Sequence, residues 1–362
     1  MHEPSRAVPM VMSVCLLVHS VASVASVMPP RARGVSSVAL TLSASASAVP
    51  RWFDPLEEFG LEEPRPVARS LPLLLVLPGA DGSGITAWMQ YPSLAQEYEV
   101  RALCIPSDDR SSHADIVELV SQELVATPPG GAQFLLGESM GAGVAIDVAL
   151  ALPERLNGLV LVSPATGWHR KWGYKVLTWR DSILVSNRGP WPMLLQAVLT
   201  LSSYELLDPT QITSTFRRLL TGERSALLPG TARTAYAWSV VKELPARLAL
   251  DPATASHRKS WAEPTFAAGR RVGELRVPLL CVAGTADLRV PAADEARRFK
   301  LEVPSCRCVF VEGAGHAGAT DDRLDLRAEL AAWRSEMSFG RVTSSCGTPR
   351  DAPVGERQSQ EE

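Results

Sequence analysis

Short, nearly continuous apolar runs recur along the middle of the chain, and longer stretches with helical apolar spacing separate them. Leu73–Leu77, Val100–Ile105, Phe134–Leu136, Leu159–Val162, Pro278–Ala283 and Arg307–Val311 are such runs. A run without polar alternation suits a strand buried on both faces, which is the pattern of a parallel sheet. Between the runs, residues 113–126 space Ile116, Leu119, Val120, Leu124 and Val125 roughly along one helical face, with Ser111 or Ser112 as cap. Met140–Leu152 reads as a second helix, closed by Pro153, and residues 321–335 as a final one. Strands alternating with helices predict an α/β architecture with a mostly parallel central sheet flanked by helices.

The alternation stops between Thr166 and Val277. Trp168, Trp172, Trp179, Trp191, Trp238 and Trp261 lie in that stretch, which is also rich in Leu and Pro. The core is therefore expected at residues 66–166 and 277–338, with a helical cap inserted at 167–276 over the carboxyl ends of the strands. Most of the cap's apolar residues would form its own small core, and a minority would line an acyl pocket. Individual substrate-binding residues within 167–276 remain unassigned.

Both ends are set apart from the fold. Residues 8–27 are apolar and small, like the hydrophobic region of a signal peptide, and no acidic residue falls between Glu3 and Asp54. A signal-like run followed by a Ser/Ala/Arg-rich run predicts bipartite plastid targeting within a leader at 1–55, with secretion as the alternative. Residues 340–362 have almost nothing to bury and are expected to be disordered. A formal net charge of −3 gives no electrostatic reason for a nucleic-acid partner. Cys104 and Cys281 read as small buried thiols, and Cys306 and Cys308 should share one face of a strand. With no HExxH and no clustered His and Asp, no metal and no cofactor are expected.

The chemistry concentrates at Gly137-Glu138-Ser139-Met140-Gly141, placed between the run Phe134–Leu136 and a helix. Two glycines permit a turn tight enough to project Ser139 from its tip, and the helix start behind it offers free N–H groups. A serine hydroxyl needs a base to become a nucleophile. His316, in Glu312-Gly313-Ala314-Gly315-His316, is the histidine that follows a late strand. The base needs a carboxylate, and Asp287 follows the run Pro278–Ala283 in Gly284-Thr285-Ala286-Asp287. Ser139, Asp287 and His316 are thus the expected catalytic residues, and their chain order is that of the α/β-hydrolase fold. An oxyanion hole would take backbone N–H groups from Ala80, in the loop Pro78–Gly84, and from Met140. The GxxGxG spacing of that loop departs from the GxGxxG dinucleotide fingerprint, and no Walker lysine follows it.

LLVLPGADGSG, IPSDDR, LLGESMGAGVAIDVAL and LVLVSPAT, followed by VAGTADLRVPAADEARR and the GAGH loop, resemble the esterase/lipase portion of the plant phytyl ester synthase family. The resemblance spans roughly residues 70–168 and 276–317. It implies a plastid lipid enzyme that moves fatty acyl groups from lipid or thioester donors onto phytol or diacylglycerol, with Ser139 the acylated residue and Asp287 and His316 its partners. That family resembles a hydrolase fused to a second acyltransferase domain with an HxxxxD motif, and this sequence stops before such a domain, which moves the expectation toward hydrolysis. The leading expectation is hydrolysis of an apolar acyl ester, with a small lipid or ester molecule as substrate and a membrane or lipid-droplet surface as the place where it is met. The alternatives are acyl transfer to phytol or diacylglycerol, and a non-catalytic ligand-binding protein on a hydrolase scaffold.

Overall fold

A computed structural model of the chain describes residues 49–61, 71–128, 131–171, 230–248, 252–316, 319, 321 and 323–344. Its sheet has seven strands in the order β1-β3-β2-β4-β5-β6-β7. They are β1 Arg51–Phe53, β2 Leu73–Leu77, β3 Glu99–Cys104, β4 Gln133–Glu138, β5 Gly158–Val162, β6 Leu279–Gly284 and β7 Cys306–Val311. β1 pairs antiparallel with β3, and all other pairings are parallel. The helices described are α1 Pro55–Glu58, α2 Tyr91–Leu94, α3 His113–Ala126, α4 Gly141–Ala151, α5 Gly230–Leu248, α6 Pro252–Lys259, α7 Ala262–Arg270, α8 Ala292–Glu302 and α9 Leu326–Ser344.

Each of the six apolar runs is a strand. The bounds shift by a residue or two because ladder pairing needs backbone groups, not apolar side chains, so Glu99, Gln133 and Glu138 join their strands. Pleating sends alternate side chains to opposite faces. Leu73, Leu75 and Leu77 enter a core shared with Ile116 and Val120 of α3, Val144 and Val148 of α4, and Phe299 of α8. Leu74 and Val76 enter a second core with Tyr91 and Leu94 of α2 and Leu330 and Trp333 of α9. The sheet is thus covered on both sides, as parallel strands require.

Two local details differ from the sequence expectation, and a third decides between its two alternatives. The strand β1 lies within the stretch set aside as a leader; at three residues it is too short for a periodicity to reveal. Ser112, rather than Ser111, caps α3, in a reciprocal capping box with Asp115. The last helix starts at Leu326, where Asp325 accepts from Ala328 N–H at 3.0 Å, and it continues to Ser344, past the expected start of the tail. Residues 1–48, including the signal-like run, and residues 345–362 lie outside the described residues.

Of the expected cap, residues 172–229 and 249–251 lie outside the described residues, and Trp172, Trp179 and Trp191 with them. The described remainder is helical: a 3-10 turn at Ala165–Arg170, then α5, α6 and α7. α7 packs on the body of the fold. A Cβ on Gly143 of α4 would stand 2.7 Å from Thr265 Cα, so the two helices meet at glycine range. Trp261 is buried in the same core as α3 and α4, and its Nε1–H donates to Ser111 O at 3.1 Å. The anchored tryptophan is core, whereas Trp238 on α5 is 44% exposed.

Candidate active site

Ser139 stands at the junction of β4 and α4 with φ = +53°, a left-handed conformation uncommon for a residue with a side chain. Such a conformation costs on the order of 1–3 kcal/mol and persists where its surroundings over-determine it. Here they do. Ser139 N–H donates to Val162 O at 3.0 Å, and its carbonyl accepts from Ala142 at 3.2 Å and Ala165 at 3.0 Å. The two glycines are needed for closeness. A Cβ on Gly137 would lie 2.5 Å from Gly141 O, and one on Gly141 would collide with Pro78 O.

The serine meets its predicted partners. Ser139 Oγ lies 2.9 Å from His316 Nε2, and His316 Nδ1 lies 2.8 Å from Asp287 Oδ2. Ser139 keeps some exposure, while Asp287 and His316 are buried. Asp287 Oδ1 also accepts the N–H groups of Arg289 at 2.8 Å and Val290 at 3.0 Å. Burial alone would raise the Asp287 pKa. The electrostatic interaction and hydrogen bond with His316, with the Val290 and Arg289 amides, outweigh it and hold the carboxyl below its usual value. An alcohol, an imidazole and a carboxylate joined in that order can activate the alcohol oxygen.

Stitching between loops places these groups. Ala286 N–H donates to Ala314 O at 3.0 Å, Thr285 N–H to Val311 O at 3.1 Å, and Gly313 N–H to Thr285 Oγ1 at 2.8 Å. The loops that carry Asp287 and His316 are therefore tied directly to each other. Beyond His316, the chain is tied back by buried Gln90, whose Nε2 donates to Ala319 O and Leu324 O and whose Oε1 accepts from Leu326 N–H. The loop with Ala80 lies against Ser139: a Cβ on Gly79 would stand 3.2 Å from Ser139 Cβ. Met140 follows Ser139 directly, at the start of α4.

Several neighbours escaped the sequence reading. Glu138, beside Ser139, is buried and accepts a hydrogen bond from the Thr86 hydroxyl. Burial pushes its pKa up to about 8; the Thr86 bond opposes the shift and the Asp81 charge adds to it. Lys171 Nζ donates to Asp287 O at 3.3 Å. Arg258 of α6 reaches the Ala80 loop. In each case the partner is remote in sequence or is a main-chain oxygen, so no local motif betrays it. Among the described residues, no group of three or more His, Cys, Asp or Glu side chains could hold a metal ion, and no helix is long and apolar enough to cross a membrane.

Residues 105–322 match the family model described as serine aminopeptidase, S33. The chain is also similar to phytyl ester synthase 2, chloroplastic, of Arabidopsis thaliana, 38% identical over 120 residues that make up 32% of this chain and 16% of that protein. It resembles phytyl ester synthase 1, chloroplastic, of the same plant, 25% identical over 286 residues, 76% of this chain and 38% of the relative. It thus spans well under half the length of these curated relatives. A solved hydrolase from Pseudomonas aeruginosa PA01 has a similar fold, with a TM-score of 0.50 and 15% identity over 79% of this chain and 93% of that one. The chain belongs to the serine aminopeptidase S33 family of α/β-hydrolases and is an enzyme of the serine hydrolase or related acyltransferase class.

Proposed function

We propose that the protein cleaves acyl esters of apolar, lipid-type substrates through an acyl intermediate on Ser139. The observation that carries this reading is the unbroken chain of contacts from Ser139 Oγ through the His316 ring to Asp287, on an elbow strained into the left-handed region. His316 Nε2 takes the serine proton as Oγ bonds to the substrate carbonyl carbon. The carbonyl oxygen becomes an oxyanion and accepts from the Ala80 and Met140 N–H groups. His316 then gives its proton to the leaving alkoxide, and the carbon–oxygen bond to the alcohol breaks. Water, deprotonated by His316, attacks the acyl-serine; the bond to Oγ breaks and the proton returns to Ser139. Asp287 holds the ring in the tautomer that leaves Nε2 free to accept.

Medium-chain p-nitrophenyl esters test this. Wild type should hydrolyse them and Ser139→Ala should not; equal rates would overturn the reading. An aminoacyl p-nitroanilide, cleaved faster than the esters, would instead favour peptidase chemistry.

Acyl transfer is the second reading, and the similarity to two phytyl ester synthases favours it. The triad and the acyl-serine are the same, with an alcohol replacing water in the second half. Incubation with a labelled acyl donor plus phytol separates the two: labelled phytyl ester means transfer, labelled free acid alone means hydrolysis. If the wild-type serine fails to react with a fluorophosphonate, the scaffold serves binding instead. A plastid location is also part of the proposal, supported by the acid-free stretch between Glu3 and Asp54 and by the chloroplastic names of both relatives. A fluorescent protein fused behind residues 1–55 should enter plastids; secretion of that fusion would contradict it.

A further inference from the structure

Arg258 is only 2% exposed. Its Nη1 donates to Ala80 O at 3.0 Å, and its Nη2 donates to Ile105 O at 3.0 Å and Pro106 O at 2.5 Å. Taking a guanidinium out of water is unfavourable, so a fold retains one inside where directed bonds offset that loss. Ala80, Ile105 and Pro106 offer it main-chain oxygens from two loops, one following β2 and one following β3. The same stretch of chain is fastened next door, where His257 Nε2 and Trp261 Nε1 lie 3.2 and 3.1 Å from Ser111 O.

The glycine pattern of the Ala80 loop fits around this cation. Gly82 has φ = +71°, and a Cβ there would run into Arg258 Nη1 and stand 2.6 Å from Ile105 O. Gly79–Gly82 is a tight turn, closed by Gly82 N–H donating to Gly79 O at 3.0 Å. Ala80 therefore sits between two peptide planes. The plane before it carries the Gly79 oxygen, held by Gly82. The plane after it carries the Ala80 oxygen, held by Arg258. The Ala80 N–H belongs to the first plane, and the turn that contains it packs against Ser139 through Gly79. Without the guanidinium the central peptide is free to flip, and the turn can drift from the nucleophile.

We propose that Arg258 is a positioning residue for the oxyanion hole: it clamps the turn from behind and so holds the Ala80 N–H where the substrate oxygen acquires charge. This rests on the acyl-serine reading above. It differs from a plain stability role because a donor that is displaced, not lost, weakens transition-state binding more than substrate binding.

The test compares wild type, Arg258→Ala and Arg258→Lys on a short-chain p-nitrophenyl ester. Each is also assayed for inhibition by a trifluoromethyl ketone, whose hemiketal oxyanion mimics the intermediate, and for thermal unfolding. Loss of a whole oxyanion donor costs about 100- to 1,000-fold in kcat, so mispositioning should cost roughly 10- to 100-fold. KM should change little, the ketone Ki should rise in parallel with the fall in kcat, and millimolar guanidinium should restore part of both in Arg258→Ala. Arg258→Lys keeps a cation in the niche and carries the test if the alanine variant does not fold. Folded variants with unchanged kcat and ketone Ki would overturn the inference. A loss seen only as a raised KM or a lowered melting temperature, without guanidinium rescue, would overturn it too. Wild type that neither turns over ester nor reacts with a fluorophosphonate would instead overturn the acyl-serine reading itself.

Discussion

Ser139, His316 and Asp287 come from three loops and meet at hydrogen-bond distance, and the carboxyl of the residue next to Ser139 has its pKa pushed well up. Glu138 sits between a strand buried on both faces and the Thr86 hydroxyl, and its carboxyl stays protonated up to about pH 8. The unfolded chain ionises it near the ordinary glutamate value. Between about pH 4.5 and 8 the native state therefore binds the extra proton, and stability falls as pH rises, by about 1.4 kcal/mol per unit for this group at most. Glu138→Gln should remove that slope: its melting temperature should exceed wild type increasingly from pH 5 to pH 8, with little difference near pH 4. Parallel melting curves for the two proteins would show that the carboxyl is not buried and neutral. Asp287 bears on the proposed catalysis instead. Asp287→Asn preserves shape but lets the ring adopt the wrong tautomer, so kcat should fall by roughly 10,000-fold with KM little changed; a loss under tenfold would mean the ring is oriented by other groups.

At the scale of elements, the site is as good as the packing that fixes strand ends and helix starts. The elbow depends on β4 and α4 approaching at glycine range, and the Asp287 and His316 loops on the stitch between the ends of β6 and β7. α9 returns the chain across the other face, where Trp333 lies against Gly158 so closely that any Cβ there would clash with the ring. Trp333→Ala would empty that space. Unfolding in urea should show a loss of about 3–5 kcal/mol, as for other large aromatic truncations in a core, with an unchanged denaturant slope. A loss below 1 kcal/mol would mean that α9 contributes little to covering the sheet. The buried charges between α8 and the 3-10 turn at Ala165–Arg170 work similarly: Glu295 accepts from Thr166 at 2.5 Å and from Arg298 at 2.9 Å. They hold the exit of β5 in place beside the elbow.

Across the whole molecule, the frame could be read in the sequence because each piece of it is local. An apolar run is a strand wherever a sheet receives it, and Gly-Glu-Ser-Met-Gly between a strand and a helix has few other conformations open to it. Asp287 and His316 were legible for the same reason, each following an apolar run in a glycine-bearing loop. What was hidden is long-range. Thr86 and Glu138 are 52 residues apart, Arg258 and Ala80 178 apart, and Gln90 and Ala319 229 apart. Two of these pairs end on a main-chain oxygen that any residue could offer, so the sequence carries no sign of them. Trp261 shows the converse: its place in an aromatic stretch suggested a cap, and it proves to be core because α7 folds back onto α4.

The central claim is that the His316 ring makes Ser139 Oγ a nucleophile, and fluorophosphonate labelling mapped by mass spectrometry tests it most directly. Wild type should carry one phosphonyl group, on Ser139, with fluoride as the leaving group. Ser139→Ala should carry none, and His316→Ala should label at least about 1,000-fold more slowly. An unmodified Ser139 in folded wild-type protein, or equal labelling rates for wild type and His316→Ala, would contradict the account.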